Sequence, residues 1–197
     1  MKTIQGELTG TSDILMNSAK GMVKNALDKN KPSKLKNKPT ELDYGLTDEG
    51  IEELAYRNSK GNLYVPSTAI KGTLLNACSF KKIGKYSAKP LLAGGVIVEG
   101  EELELTDLKG KPIKKYDKDI RTIVNKVTKG RQVKIRPKII EWKLPFTLVY
   151  DNDLIGNSDN IRAILEEAGQ RVGILDFRPQ KSGSFGTFKV TKWVEEK

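Results

Sequence analysis

With 197 residues, 37% of them hydrophobic and 30% charged, the chain is long enough to bury a core, and it carries a net charge of +10. The absence of histidine removes the usual general base and zinc ligand, and the lone Cys78 excludes an internal disulfide and any multi-cysteine zinc site. No apolar run approaches the roughly 18 residues of a membrane span, and "MKTIQGELTG" has no apolar signal region, so a cytoplasmic protein without membrane contact is expected.

Residues 3 to 10, "TIQGELTG", alternate Ile4, Gly6 and Leu8 with polar positions and predict a half-buried strand. The segment "KNALDKNKPSKLKNKPTELDYG" carries two prolines and many lysines with little to pack, and reads as a mobile excursion. A short helix is expected in "TDEGIEELAYRNSKGN". In "VPSTAIKGTLLNACSF", Ser67 or Thr68 can cap a helix, with Ile70, Leu74, Leu75 and Cys78 at helical spacing. Cys78 then reads as a buried, inert thiol.

"GGVIVEGEELEL" (94–105) has strand character. Residues 129 to 151 are β-rich, but the apolar phase moves from odd positions (Val133, Ile135, Ile139) to even ones (Ile140, Trp142, Leu144, Phe146, Leu148). Either a bulge or two strands sharing a bend produces such a shift. The best helix is "NSDNIRAILEEAG", with Ile161, Ile164, Leu165 and Ala168 on one face and Gly169 expected at its end. "GTFKVTKWV" (186–194) is the last strand. Stripped of excursions, the order βαββαβ predicts an α+β, ferredoxin-like fold: an antiparallel sheet with two helices on one face.

Charge is concentrated. Seven lysines and one acid lie between Lys20 and Lys38, and thirteen bases with three acids between Lys109 and Lys143. Such blocks fit a polyanionic partner, since each neutralised phosphate releases counterions. The alternative is solubility alone. No exposed aromatic pair for base stacking is placed on the strands, no phosphate-binding P-loop is present, and nothing calls for a cofactor or a resident metal.

Three features remain. A small-residue turn, "GTSDILMNSAKG", follows the first strand, "PSTAIKG" (66–72) opens the first helix, and the Gly-rich "RPQKSGSFGTF" precedes the last strand. Together they resemble the RAMP superfamily of CRISPR-associated proteins, in particular its guide-RNA-binding backbone subunits, whose helix motif typically reads Pro-Gly-Ser-Ser-Ile-Lys-Gly. Here Ser-Thr-Ala stands where Gly-Ser-Ser is usual. A free-standing relative acting outside any CRISPR complex, for instance a viral one, fits the same residues.

The resemblance implies one RAMP-like domain over residues 1–197, with basic insertions at about 20–60 and 106–130. It implies sequence-independent binding of single-stranded RNA or DNA, RNA favoured, in antiviral defence. It further implies a homo-oligomer or a ribonucleoprotein subunit. The residues it points to are Ser12, Ser67, Thr68, Lys71, Arg178, Lys181, Gly183, Ser184 and Gly186. Physically, the helix start offers N–H groups and hydroxyls to a phosphate with Lys71 one turn in, and the glycines let main chain approach sugar and phosphate. Each also has a plain structural reading: a cap for Ser67 and Thr68, a hairpin or bulge for Gly183 and Gly186, an ion pair for Arg178.

Asp13 lies in the loop where some backbone subunits carry a catalytic aspartate, so a metal-dependent ribonuclease is one alternative; aspartate is also common in turns. An assembly protein docking an acidic partner is the other. Limited proteolysis is expected to cut first within residues 24 to 40 and leave the strand–helix core intact. Resistance of that segment in the free protein would remove the excursion from this scheme.

Overall fold

The computed structural model describes residues 1–20, 48–124 and 130–196. Most of the first basic block, with the segment expected to be cut first, lies outside the described residues. The chain runs through β1 (Lys2–Gly10), β2 (Ile14–Leu15), α1 (Asp48–Glu53), β3 (Tyr64–Pro66), α2 (Ser67–Ala77), β4 (Lys82–Ile83) and β5 (Tyr86–Ser87). There follow α3 (Ala88–Gly95), β6 (Val96–Val98), β7 (Glu102–Glu104), β8 (Asp117–Val124), β9 (Arg131–Ile139) and β10 (Lys143–Tyr150). The last elements are α4 (Asn152–Ile155), α5 (Ser158–Glu167) and β11 (Phe188–Glu195).

The main sheet has the order β11-β1-β10-β6, and every neighbouring pair is antiparallel. With α2 and α3 between its first and second strands and α5 between its third and fourth, this is the expected ferredoxin-like arrangement. β1 takes the central place its alternation allows: Ile4, Gly6 and Leu8 are buried, and the intervening residues are half-buried on the other face. Leu144, Phe146, Leu148 and Tyr150 of β10 join them against Ile70 and Leu74 of α2 and Ile161, Ile164 and Leu165 of α5.

The apolar phase shift resolves as two strands sharing a bend. β9 pairs with β8 and β2 in a second sheet, and β10 enters the main one. Between them Glu141 takes the left-handed φ of 47°. The β8–β9 hairpin thus runs on to Ile139, past the position where the sequence reading placed the end of an insertion. Within the segment read as the other insertion, Ile51 and Ala55 are buried, and Ala55 joins the main core.

Two local expectations are corrected. α2 is preceded by Pro66 and has no side-chain cap, so neither Ser67 nor Thr68 caps it. The helix around Ile161 is capped by the Asn157 side chain, which accepts from the Asp159 N–H, but Gly169 does not end it. The chain continues as a π-turn through Ala168–Val172 and stops at Gly173, at φ 72°. Gly169 is needed for proximity: a Cβ there would meet the Phe188 carbonyl oxygen at 2.2 Å.

Aromatic rings of β10 and of the bend before it lie over glycines of β1. A Cβ on Gly6 would meet Phe146 Cζ at 2.2 Å, and one on Gly10 would meet Trp142 Nε1 at 2.3 Å. Gly6→Ala is therefore expected to lower stability in urea unfolding by about 1–3 kcal/mol through overpacking. Adding Phe146→Leu should recover part of that loss. A Gly6→Ala chain as stable as the parent would show that the ring does not need this space.

Candidate functional site

The turn after β1 becomes a strap between two elements. On one side β2 pairs with β9, and the Met16 N–H donates to the Pro137 carbonyl at 2.9 Å. On the other side the strap meets the loop before β11: Gly186 N–H donates to the Asp13 carbonyl at 2.7 Å, and Asp176 N–H to that of Leu15 at 3.1 Å. Hydroxyls add a ladder, because Ser12 Oγ accepts from both the N–H and the hydroxyl of Thr187. Ser12 is thus engaged within the protein.

The basic hairpin is locked to the same loop by charge and aromatic rings. Arg136, 2% exposed, donates to Asp119 at 3.1 Å and to Asp176 at 2.9 Å. Arg121 also reaches Asp119, at 2.7 Å, and Lys134 lies 3.7 Å from Asp176. Phe177 and Phe185 pack at 6.0 Å between centroids, with Arg121 4.5 Å from the Phe185 ring and Arg136 5.3 Å from that of Phe177. Cations over ring faces in a desolvated setting are favourable. The loop needs this hold, since Leu175 and Phe177 have left-handed φ angles of 62° and 48°, costly for such side chains.

Strap, loop and α2 converge on a cleft of about 350 Å³. Ala69, Gly72, Thr73 and Asn76, on one face of α2, form its floor; Thr68 stands at the helix start, and Asn17, Tyr56, Asp176 and Arg178 line the walls. Its electrostatics favour an anion. Asp176 is compensated by Arg136 and Lys134, whereas among the described residues Arg178 bonds only neutral acceptors, the Leu175 carbonyl and the Gln180 side-chain oxygen. Both terminal guanidinium nitrogens keep a free N–H. Burial, helped by nearby Tyr64 and Asp176, pushes the Tyr56 phenol above its ordinary pKa, so it stays a neutral donor.

Gly72 is the informative glycine. It costs a helix roughly 1 kcal/mol relative to alanine, and nothing lies within 4 Å of where its Cβ would be. Packing does not require it, and without a side chain it leaves the cleft floor clear. The glycines of the Gly-rich loop differ. A Cβ on Gly183 would meet the Phe177 carbonyl oxygen at 1.7 Å, and one on Gly186, at φ 70°, would meet that of Ile174 at 2.1 Å. Both let the chain approach itself, in keeping with the structural reading of these glycines.

Of the residues singled out in the sequence, Thr68 and Arg178 meet in the cleft. Ser67 stands beside them at the helix start, but its N–H donates to the Glu101 carbonyl at 3.0 Å. Lys181 and Ser184 are exposed on the loop and do not line the cleft. Lys71 is committed elsewhere: its ammonium binds the carbonyls of Leu92, Ala93 and Val96 at the C-terminal end of α3. That end carries unsatisfied carbonyls and partial negative charge, which a lysine complements, and burial there lowers the lysine pKa. Asp13 lies 3.8 Å from Lys138, and no group of three or more potential metal ligands gathers among the described residues. Cys78 is buried, as expected, and burial raises its pKa.

Sequence reasoning missed Asn17, Tyr56 and Asn76, and the Arg136 node, and it quoted Gly72 in the helix motif without giving it a role. Gly72 carried a usable signal, a helix-breaking residue inside an otherwise strong helix pattern. Nothing local marked Arg136 among thirteen bases.

Removing Arg136 strips Asp119, 6% exposed, of its buried partner. Arg136→Ala is expected to fall at the low end of the about 3–5 kcal/mol lost when a buried pair is broken, because Arg121 still reaches Asp119. In a urea-unfolding cycle, Arg136→Ala with Asp119→Asn should lose less than the two single losses added. Strict additivity would show that the pair does not couple.

No family model matches the sequence, and no curated protein matches it. In structure, the chain is similar to one in the cryo-EM structure of the Type III-B Cmr-beta bound to cognate target RNA, with a TM-score of 0.57 at 13% sequence identity. The likeness covers 100% of this chain and 61% of that one, so this chain spans about three-fifths of that length. It is a likeness of fold. No described helix is long and apolar enough to cross a membrane.

Proposed function

We propose that the chain binds single-stranded RNA along the sugar-phosphate backbone, without reading base identity, as a subunit of a ribonucleoprotein assembly of the CRISPR-associated type. The observation that carries this reading is the cleft whose floor is kept clear at Gly72 and whose wall presents Arg178 without a carboxylate partner. A guanidinium with free N–H groups on both terminal nitrogens is suited to phosphate oxygens. Thr68, Asn17, Asn76 and the neutral Tyr56 are donors and acceptors for ribose hydroxyls. The net charge of +10 supports a polyanion, and RNA is favoured over DNA by the fold neighbour, a chain from a complex bound to target RNA.

Fluorescence anisotropy with a mixed-sequence single-stranded RNA tests this. The affinity is expected to fall steeply with salt, and Arg178→Ala to reduce the log–log slope by about 0.7, one single-strand phosphate. Gly72→Gln should separate folding from binding. It raises helix stability by roughly 0.5–1 kcal/mol while its side chain obstructs the cleft. A more stable protein that binds more weakly is the expected result. Affinity independent of salt, or unchanged binding by Gly72→Gln, would overturn the cleft as the RNA site.

A further inference from the structure

A second surface has the chemistry of a single-strand binder and lies outside the cleft. From residue 54 to 98 the chain contains no aspartate or glutamate and seven bases. Four of these, Lys81, Lys82, Lys85 and Lys89, fall on or beside the β4–β5 hairpin. Among the described residues, none of the four has a carboxylate partner.

Two aromatic rings stand among them in solvent: Phe80 is 50% exposed and Tyr86 71% exposed. Lone exposed apolar residues need no explanation, but two rings six residues apart within a run of lysines without carboxylate partners among the described residues do. Both are held on ordered structure. The hairpin is anchored by buried Ile83 opposite Tyr86, and its turn uses Gly84 at φ 57°. Phe80 follows α2 directly, its N–H donating to the Ala77 carbonyl at 2.9 Å. The guanidinium of Arg171, itself paired with Glu167, lies 5.4 Å from the Phe80 ring centre. A ring supported on one side by a guanidinium presents its other side as a surface on which a base can stack.

We propose that Phe80 and Tyr86, with Lys81, Lys82, Lys85 and Lys89, form a stacking platform for single-stranded nucleic acid. The rings take unstacked bases of any identity, because every base has a π-face, and the lysines hold the adjoining phosphates. The platform stands just past the C-terminal end of α2, whose Ala69–Asn76 face floors the cleft, so one helix carries both contacts. Charge selects this occupant: an acid-free lysine run repels a basic partner, and the rings add what an acidic protein surface does not require.

This inference rests on the single-strand-binding reading above, and the experiment separates the two. Binding of mixed-sequence single-stranded RNA, and of DNA of the same length, is measured for the parent, Phe80→Leu/Tyr86→Leu, Phe80→Tyr/Tyr86→Phe, Lys81→Ala/Lys82→Ala/Lys85→Ala and Gly72→Gln, with thermal melts alongside. Replacing both rings by leucine is expected to weaken binding by roughly 5- to 150-fold per ring with an unchanged salt slope. The aromatic-for-aromatic exchange should bind like the parent. The triple lysine variant should lower the salt slope by about 0.7 for each phosphate lost.

If the leucine variant binds like the parent while Gly72→Gln binds weakly, the platform falls and the cleft stands. The opposite pattern removes the cleft and keeps the platform. Loss of affinity in the lysine variant alone reduces the surface to diffuse electrostatics and overturns the stacking role. A parent that binds neither strand overturns both.

Discussion

The strap of residues 11 to 17 is the constraint on which the rest of the structure depends. Its main chain is hydrogen-bonded on one side to β9 and on the other to the loop of residues 173 to 187. A backbone with both edges occupied can neither slip nor rotate without breaking several hydrogen bonds at once. Because the strap leaves β1 directly, the register of the main sheet is passed to the second sheet and to the loop. Trp142 reinforces this by lying over Gly10 while its indole N–H donates to the Ser12 carbonyl at 2.8 Å.

On that frame the Arg136 node performs two tasks. It holds β8 and β9 against a loop whose backbone is strained at Leu175 and Phe177, and it compensates the carboxylate of Asp176. Buried ion pairs are poor stabilisers in themselves, because desolvation offsets most of their attraction. Their use here is positional. With Asp176 compensated by Arg136 and Lys134, the cleft wall is left with the field of Arg178, which has only neutral partners. The same ion pairs thereby shape both the geometry and the charge of the candidate cleft.

Lysine and glycine each serve two purposes in this chain, and the division follows exposure. Lys71 lies beside the unsatisfied carbonyls of α3 and caps them, whereas the lysines around β4 and β5 have no such acceptors among the described residues and are exposed. Gly183 and Gly186 are packed by the chain itself, whereas Gly72 faces open space. Residue type alone does not distinguish these roles. The contents of the next 4 Å do.

Much of the fold was legible because it rests on local periodicity. The alternation in β1, the helical spacing of Ile70, Leu74 and Cys78, and the Asn157-capped helix around Ile161 each state their secondary structure within a few residues. Their order dictated a ferredoxin-like sheet, and the phase shift near Ile139 announced a bulge or a bend, which the structure resolves as the bend between β9 and β10. The site was only half legible. Thr68 and Arg178, singled out through motifs, line the candidate cleft, but Asn17, Tyr56 and Asn76 belong to it only because strap, α2 and loop converge there. Whether a lysine caps a helix, whether a glycine faces backbone or solvent, and which of thirteen bases is buried between two aspartates are settled by contacts between residues far apart in the chain. Such contacts leave no period in the sequence, so only the tertiary structure decided them.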